Sequence, residues 1–231
     1  MANHTAGSHF RHVITATRTL LFPFLVVLAG CLIVKLLFDK ESIYFFLNGL
    51  HFPAGDHFFA WFTDVGNTPT AIALTIILLF FSYRMSFVLA STYVFTTLVN
   101  FGLKFLFSFP RPTKYFEDRL HDLYLVPGVH MLSDFLSFPS GHTVCAFTSA
   151  TVLTYYARNK AWGVLYLFLA LLVAYSRIYL SQHFFEDVTM GAVTGITLSI
   201  AWLTFIDQQS FLEKPSWRKS ILNKHPGSGD H

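Results

Sequence analysis

Long apolar runs separated by short polar segments dominate this chain. A helix needs about 20 mostly apolar residues to cross the ~30 Å hydrocarbon layer of a bilayer. Five runs give that signal clearly, at residues 19–38, 69–83, 86–107, 161–180 and 187–206. A sixth run, 141–157, is shorter and richer in Thr and Ser, but the basic turn at 158–160 fits the membrane topology only if this run also spans. The pattern predicts an all-α fold, a bundle of six transmembrane helices.

Two long connections lie on one side of this predicted bundle. The first, residues 39–68, is dense in aromatic residues but interrupted by Asn, Gly, Pro and Asp, which is typical of helices that lie in the headgroup layer. The second, residues 108–139, is polar and too long for a plain turn. Loops of that length are usually functional or disordered. We therefore expect interfacial helices in the first connection and no regular span in the second.

The composition excludes an ordinary soluble domain. Of the 231 residues, 53% are hydrophobic and 13% charged, whereas a soluble domain carries about 25% charged residues. So few charges leave much of the surface to face lipid, and they also exclude a disordered chain. The two cysteines, Cys31 and Cys145, lie in apolar runs and are predicted to be small hydrophobic residues, not a disulfide. A net charge of +3 is too small an excess to require a nucleic-acid partner.

The distribution of Lys and Arg predicts the orientation, because basic residues in short loops favour the cytoplasmic side. One side holds nine basic and three acidic residues, and the other holds seven basic and ten acidic. The first side contains both termini, which are therefore predicted to be cytoplasmic. We interpret about 18 N-terminal residues as a cytoplasmic tail before a retained first helix, residues 1–206 as a single membrane domain and residues 207–231 as a basic cytoplasmic tail. Its basic residues are Lys214, Arg218, Lys219 and Lys224.

Polar residues from three separate segments are predicted to meet at the opposite, outer face. They stand at the ends of the predicted helices or in the connections next to them. In chain order they are Lys104, Arg111, Pro112, Pro139, Ser140, Gly141, His142, Ser176, Arg177, His183 and Asp187. Individually, such cations are commonly interfacial anchors, a serine before a helix is commonly its N-cap, and the histidines and aspartate are commonly structural.

Together these residues supply what binding of a phosphoryl group requires. Lys104, Arg111 and Arg177 are fixed cations for the non-bridging oxygens of a phosphate. The N-terminus of the fourth predicted helix adds backbone N–H groups, with Ser140 as a further donor and Gly141 leaving room for the oxyanion.

The remaining residues supply acid, base and nucleophile. His183 and Asp187 are four residues apart and fall on one helical face if the helix extends to them. The carboxylate can then hold one imidazole nitrogen so that the other stays unprotonated and nucleophilic. His142, from another helix, is left to protonate the departing oxygen.

Three spaced motifs carry a resemblance to a known family. They are Lys104-x6-Arg111-Pro112, then Pro139-Ser140-Gly141-His142, then Ser176-Arg177-x5-His183-x3-Asp187. At every motif position they resemble the signature of the type-2 phosphatidic acid phosphatase superfamily, which also includes bacterial acid phosphatases and vanadium haloperoxidases. The motifs cover 104–187, and the helix layout extends the similarity to about 19–206. Embedding in a bilayer favours the membrane-bound bacterial lipid phosphatases, such as phosphatidylglycerolphosphate and undecaprenyl pyrophosphate phosphatases.

The resemblance implies a role for each of these residues. His183 is implied to form a phosphohistidine, Asp187 to orient it, and His142 to act as general acid and later as the base that activates water. The phosphate-binding residues are implied to be Lys104, Arg111, Ser140, Gly141 and Arg177. The resemblance to the membrane phosphatases implies a reaction without a metal or other cofactor. The predicted topology puts these residues at the outer face of the bacterial cytoplasmic membrane. We expect Asp122, Asp134, His121 and His130 in the outer loop to be solvated, not a cation site.

The sequence leaves the substrate and one reaction step open. Undecaprenyl pyrophosphate, phosphatidylglycerol phosphate, phosphatidic acid and lipid A phosphate all fit the resemblance. A lipid-to-lipid phosphotransferase would use the same motif residues. A non-catalytic lipid-binding or transport protein has no need for nucleophile, acid and orienting carboxylate together, and a channel or transporter usually places its polar residues at the midplane. The leading interpretation is a membrane lipid phosphatase.

Overall fold

The computed structural model describes residues 6–222, in which every regular element is helical, as the apolar pattern predicts. It contains α1 Ala6–Leu37, α2 Lys40–Asn48, α3 Pro53–Phe62, α4 Thr68–Leu79, α5 Tyr83–Phe107, α6 Pro112–Tyr115, α7 Gly141–Tyr156, α8 Trp162–Tyr179 and α9 Phe185–Ile206. Short 3-10 turns lie at Thr63–Gly66, Glu117–Asp122, Ser210–Glu213 and Pro215–Arg218.

Several of these helices are long and apolar enough to cross a membrane. Within residues 6–222, four stretches qualify, and they contain α1, α5, α8 and α9. A fifth is formed if α3 and α4, which are bent by 57° across the turn between them, are taken as one broken span. The 16 residues of α7 fall below that length. The chain is thus a multi-pass membrane protein with four or five candidate spans, and the count of six stays a prediction.

The first helix begins earlier than the apolar run suggests. α1 starts at Ala6, inside the segment that the sequence assigns to an N-terminal tail. Val13, Thr17 and Leu20 are fully buried there, at the spacing of one helical face. Val13 belongs to the same buried cluster as Leu203, near the end of α9. Packing against the bundle therefore extends this helix into a segment whose hydrophobicity alone is too low to predict it.

The 16-residue helix α7 lies at the centre of the bundle. α7 packs against α1, α5, α8 and α9. Two glycines of α9 let it approach α7 closely: a Cβ on Gly191 would lie 2.9 Å from the carbonyl oxygen of Ser140, and one on Gly195 would lie 2.8 Å from that of Val144. Small residues four positions apart permit such close helix packing in membranes. This contact holds the N-terminus of α7 beside the start of α9.

The two long connections are tied to each other. Asn48 at the end of α2 donates from Nδ2 to the carbonyl oxygen of Tyr124 at 2.8 Å and accepts from its amide at 2.9 Å. Asp56 of α3 accepts from the hydroxyl groups of Tyr124 and Tyr179, both at 2.6 Å. The first connection contains α2 and α3, and their placement in the headgroup layer stays a prediction.

A polar cluster closes the other end of the bundle. Asp207, just after α9, accepts from Arg84 at 3.0 Å and from the hydroxyl of Tyr155 at 2.8 Å. The chain beyond it returns along the turn between α4 and α5, where the amide of Tyr83 donates to the carbonyl oxygen of Lys219 at 3.0 Å. The remainder of the predicted basic tail, with Lys224, lies outside the described residues.

Candidate active site

Two predicted phosphate-binding cations flank the break between α5 and α6. Lys104, in the last turn of α5, is buried, and its Nζ donates to the carbonyl oxygen of Leu136. Arg111, at the N-cap of α6, is also buried and donates from Nε to Asp134 Oδ1 at 2.9 Å. Its NH1 donates to the carbonyl oxygen of Gln182 at 3.0 Å. The chain just before α7 and the turn after α8 thus hold both cations at one place.

The third predicted cation comes from the last turn of α8. Arg177 is buried and donates from NH1 to the hydroxyl of Thr63 at 2.7 Å. Its Nε is also buried and has no hydrogen-bond partner in the described chain. A buried guanidinium with a donor left over is costly unless an anion completes its bonds. Arg177 therefore retains a capacity for a phosphate oxygen.

The N-terminus of α7 presents free backbone donors. Ser140 holds the N-cap position, but its hydroxyl accepts from Thr143 Oγ1 at 3.1 Å and caps no backbone amide. The Ser140 amide itself donates to the carbonyl oxygen of Asp187 at 3.0 Å, which fixes α7 to α9. The first-turn amides of α7 have no intrahelical acceptor, as at any helix start, and such a terminus favours an anion.

A tight turn between α8 and α9 places the predicted nucleophile. The carbonyl oxygen of Arg177 accepts from the amides of Gln182 at 3.0 Å and His183 at 3.2 Å. Ser181 adopts a left-handed backbone conformation, with φ 52°. Because α9 begins at Phe185, His183 precedes the helix and does not lie on it as the spacing alone suggests. The turn brings its ring to Asp187 in place of a shared helical face.

The imidazole of His183 is held on one side by two oxygen atoms. Its Nδ1 lies 3.4 Å from Asp187 Oδ2 and 3.3 Å from Ser137 Oγ. Ser137 donates to the same carboxylate oxygen at 2.5 Å, and the amide of Phe184 donates to it at 2.8 Å. His183 and Asp187 are 2% and 1% exposed, so this arrangement is sealed from water.

The other ring nitrogen of His183 faces a group that can only donate. Arg111 NH1 lies 3.2 Å from His183 Nε2, and a guanidinium has no acceptor, so Nε2 carries the lone pair and Nδ1 the proton. Burial lowers the pKa of His183 well below its usual range, and the neighbouring charges of Arg111 and Arg177 lower it further. The ring is therefore neutral, with its unprotonated nitrogen directed toward the cations.

The predicted general acid lines a large cavity. A space of about 580 Å³ extends between α4 and α5 to the start of α7, and its wall includes Lys104, Gly141 and His142. His183 is not among the residues that line it. A Cβ on Gly141 would lie 3.6 Å from Asn100 Nδ2 and 4.0 Å from Lys104 Cε, so the glycine faces both side chains. His142 thus shares this cavity wall with Lys104 and Gly141, two of the predicted phosphate-binding residues.

All eight predicted site residues therefore come from helix ends that the fold brings together. The structure adds groups that the motifs do not contain: Ser137 on Asp187, Thr63 on Arg177, Asp134 and the Gln182 carbonyl on Arg111, and Asn100 beside Gly141. Only Asn100 has a signal in the sequence, a polar residue one turn before Lys104 in an apolar run. The others lie in loops whose pairing depends on tertiary structure.

The acidic and histidine residues of the second connection do not gather into a metal-binding group. Among residues 6–222, no three His, Cys, Asp or Glu side chains lie close enough to hold an ion together. Asp134 is bonded to Arg111 at 2.9 Å, while Asp122 accepts from Arg119 at 2.9 Å. Both carboxylates are thus held in ion pairs with arginine side chains.

The fold and the site define a class of protein: a multi-pass helical membrane protein in which three buried cations, a helix N-terminus and an oriented neutral imidazole come together. Comparison with known families then identifies the family. Residues 85–211, more than half of the chain, match the PAP2 superfamily. The chain belongs to this superfamily, and the resemblance predicted from its three motifs is confirmed.

Two solved structures are similar to this chain. One is LpxE of Aquifex aeolicus, with 32% sequence identity and a TM-score of 0.62 over 71% of this chain and 94% of that one. The other is a transmembrane PAP2-type phosphatidylglycerolphosphate phosphatase of Bacillus subtilis, with 23% identity and a TM-score of 0.59 over 83% of this chain and 96% of that one. At that identity the second similarity supports the fold alone.

Two further relatives match over shorter stretches. Bacitracin transport permease protein BcrC of Bacillus licheniformis is 36% identical over 95 residues, which is 38% of this chain and 46% of that protein. An undecaprenyl-diphosphatase of Sulfolobus acidocaldarius is 34% identical over 73 residues, 32% of each chain. The chain thus matches less than half the length of either of these relatives.

Proposed function

We propose that the protein is an integral membrane phosphatase that hydrolyses a lipid phosphomonoester or diphosphate through a phosphohistidine on His183. One observation carries the proposal: the unprotonated Nε2 of this buried imidazole lies beside Arg111, at 3.2 Å, while its Nδ1 faces Asp187. A nucleophile needs a free lone pair next to the charge that stabilises its target. This arrangement supplies both at one atom.

In the first step, His183 Nε2 attacks the phosphorus atom. The phosphoryl oxygens replace the imidazole as acceptors for Arg111, and Lys104 and Arg177 share their charge. As the bond between phosphorus and Nε2 forms, the ester or anhydride bond breaks, and its electron pair leaves with the oxygen of the lipid. His142 protonates that oxygen. Asp187 holds the Nδ1 proton and stabilises the charge that develops on the ring.

In the second step, water takes the position of the departed oxygen. His142, now unprotonated, accepts one proton as the water oxygen attacks phosphorus. The bond between phosphorus and Nε2 breaks, and its electron pair returns to the ring of His183. Inorganic phosphate is released, and His142 is again protonated for the next substrate. No metal takes part in the proposed steps.

The favoured substrate is a lipid diphosphate such as undecaprenyl diphosphate. The match to an undecaprenyl-diphosphatase of Sulfolobus acidocaldarius supports this choice, although it covers 32% of the chain. The cavity of about 580 Å³ between α4 and α5 is mostly apolar and leads to His142, which suits a lipid chain attached to the leaving oxygen. Phosphatidylglycerol phosphate, phosphatidic acid and lipid A phosphate are the competing substrates.

We place the site at the outer face of the bacterial cytoplasmic membrane, with both termini in the cytoplasm. The support is the excess of Lys and Arg on the side of the bundle away from the site. In this arrangement residues 1–206 form one domain, in which six helices span the membrane. The helices α2 and α3 lie in the headgroup layer, and residues 207–231 form a cytoplasmic tail.

The test is phosphate release by the purified protein in detergent, with EDTA present and the four lipids as substrates. His183→Ala removes the proposed nucleophile, and His57→Ala, an exposed histidine of α3, is the matched control. We expect release from at least the diphosphate, lost in His183→Ala and kept in His57→Ala, with vanadate as an inhibitor. Turnover that needs an added divalent ion would contradict the metal-free chemistry.

The same assay separates hydrolysis from phosphoryl transfer. If phosphate appears only on an added lipid acceptor and not free in solution, the protein is a phosphotransferase that uses the same site. Full turnover by His183→Ala would overturn the nucleophile assignment itself.

A further inference from the structure

Asn100 has a side chain that the protein itself leaves unsatisfied. It lies on α5 one turn before Lys104 and is 5% exposed. Its Oδ1 is buried and has no hydrogen-bond partner within residues 6–222. Leaving a buried amide oxygen without a donor costs about 1 to 3 kcal/mol. A native structure retains such a group when a ligand or a water molecule completes it.

The other polar residues on the same face of α5 are satisfied. Thr92 and Thr96 precede Asn100 at intervals of four residues and are buried with it. Thr92 donates to the carbonyl oxygen of Val88 at 2.6 Å, and Thr96 accepts from Thr148 at 3.4 Å. The missing hydrogen bond is therefore confined to Asn100, the residue of this face nearest Lys104. Thr92 and Thr96 do not share it.

The position of Asn100 relates it to the leaving-group side of the reaction. It lines the cavity of about 580 Å³ together with Lys104, Gly141 and His142. In the proposed mechanism, His142, which lines this cavity, protonates the departing oxygen, while His183 attacks the phosphorus atom. In-line displacement puts the departing oxygen opposite the attacking nitrogen. The space beside His142 and Asn100 is therefore where that oxygen leaves and where water must enter.

We propose that Asn100 binds the hydrolytic water that cleaves the phosphohistidine, and this inference rests on the function proposed above. The water donates one hydrogen to the ring of His142 and the other to Oδ1 of Asn100. As its oxygen bonds to phosphorus, the bond between phosphorus and His183 Nε2 breaks and the electron pair returns to the ring. The proton on the His142 side moves to that histidine, and the hydrogen on the Asn100 side stays with the released phosphate.

This role of Asn100 concerns the breakdown of the phosphohistidine and not its formation. Formation of the phosphohistidine needs His183, the cations and the acid, but no water. Its breakdown needs a water molecule with one lone pair directed at phosphorus, and small errors in such positioning are costly, about a hundred-fold for a displacement of about 1 Å. Loss of the Asn100 oxygen therefore slows breakdown selectively and makes the phosphohistidine accumulate.

The experiment follows both steps in full-length protein in detergent, with p-nitrophenyl phosphate in rapid-quench assays and a ³²P-labelled lipid diphosphate trapped at alkaline pH. Asn100→Leu keeps the side-chain shape without an acceptor, and Asn100→Asp keeps both shape and acceptor. Gly102→Ala, at an exposed position of α5 where an added Cβ meets nothing within 4 Å, is the control outside this cavity. The rate of phosphoenzyme formation also reports whether each variant is correctly folded.

In Asn100→Leu we expect a burst of p-nitrophenol, an accumulated phosphohistidine and a breakdown rate lower by about a hundred-fold, with formation changed by less than about three-fold. Asn100→Asp is expected to show faster breakdown than Asn100→Leu, because it retains an acceptor, and Gly102→Ala is expected to show breakdown close to that of the wild type. Equal losses in both steps, or no change in either, would overturn the role of Asn100 while leaving the phosphatase intact. A third result is that the wild type turns over substrate while neither His142→Ala nor Asn100→Leu accumulates a phosphohistidine. That result would overturn the proposed covalent mechanism as well.

Discussion

Arg111 NH1 lies 3.2 Å from His183 Nε2, so the cation that binds the phosphate also sets the protonation state of the nucleophile. Because a guanidinium only donates, the nitrogen that it faces is the unprotonated one. The same arginine donates to Asp134 and to the Gln182 carbonyl. Its guanidinium therefore contacts three parts of the site: the long loop at residues 108–139, the turn before α9 and Nε2 of His183.

Replacing this arginine by lysine tests whether its geometry matters beyond its charge. Arg111→Lys keeps one positive charge but loses the planar fork that holds Asp134 and faces the nucleophile together. We expect kcat/KM to fall by about a hundred-fold, measured as phosphate release from the lipid diphosphate. Lys114→Arg, at a half-exposed position of α6, is the control for a conservative basic exchange. Wild-type kinetics in Arg111→Lys would show that charge alone is sufficient.

The carboxylate of Asp187 is expected to act on the rate more than on binding. Asp187→Asn removes the charge that holds the Nδ1 proton of His183, and the amide can favour the wrong tautomer. By analogy with an orienting aspartate in a catalytic triad, kcat should fall by about a hundred- to ten-thousand-fold. The neighbouring Glu186→Gln serves as control. A change confined to KM would instead assign Asp187 to substrate binding.

Ser137 is predicted to be a positioning residue for that carboxylate. Its hydroxyl donates to Asp187 Oδ2 at 2.5 Å and lies 3.3 Å from His183 Nδ1. Ser137→Ala should lower kcat by about ten-fold and leave KM nearly unchanged, because the phosphate-binding groups are intact. Ser137→Thr keeps the hydroxyl and should recover most of kcat. If the alanine variant raises KM at constant kcat, the hydroxyl belongs to the binding of substrate.

The pH dependence should reflect the lowered pKa of His183. Protonation on acidification removes the nucleophilic lone pair, so the acid limb of kcat/KM reports this group in the free enzyme. Because burial and the nearby arginines lower its pKa, we expect activity to persist below about pH 6.5, the usual histidine value. Removing one cation in Arg111→Gln should raise that pKa and move the acid limb toward neutral pH. An acid limb that is unchanged in this variant would contradict the electrostatic cause.

The free energy of unfolding should also decrease as the pH falls. A histidine whose pKa is lower in the folded state than in the unfolded one binds its proton preferentially when unfolded. The free energy of unfolding contributed by His183 is therefore fully present above about pH 6.5 and is lost as the pH falls through the lowered value.

The polar cluster at the other end of the bundle is predicted to support stability without affecting chemistry. Asp207→Ala removes the acceptor of Arg84 and Tyr155 and leaves a partly buried guanidinium unpaired. We expect a loss of about 2 kcal/mol in the free energy of unfolding, measured by thermal unfolding in detergent. Tyr155→Phe, which removes one hydrogen bond only, should cost about 1 kcal/mol. Activity at low temperature should remain that of the wild type in both variants.

The amino-acid sequence by itself determined the helical class, the membrane environment and the family, and it predicted the residues of the site. Runs of about 20 apolar residues have few structural solutions, because a lipid layer allows only backbones that satisfy their own hydrogen bonds. The three motifs identified the family because they combine rare polar residues at fixed spacings inside apolar sequence. Their roles in catalysis stay predictions, as do the six spans and the outer location.

Only the tertiary structure decided which groups complete the site. The start of α1 at Ala6, the turn that holds His183 before α9 and the contact of Ser137 with Asp187 all depend on contacts between segments distant in the chain. Local propensity carries no information about such contacts, since each is formed by packing of one helix end against another. The structure also shows that Oδ1 of Asn100 has no hydrogen-bond partner among the described residues. This depends on the groups that the fold puts around Asn100, so the sequence cannot show it.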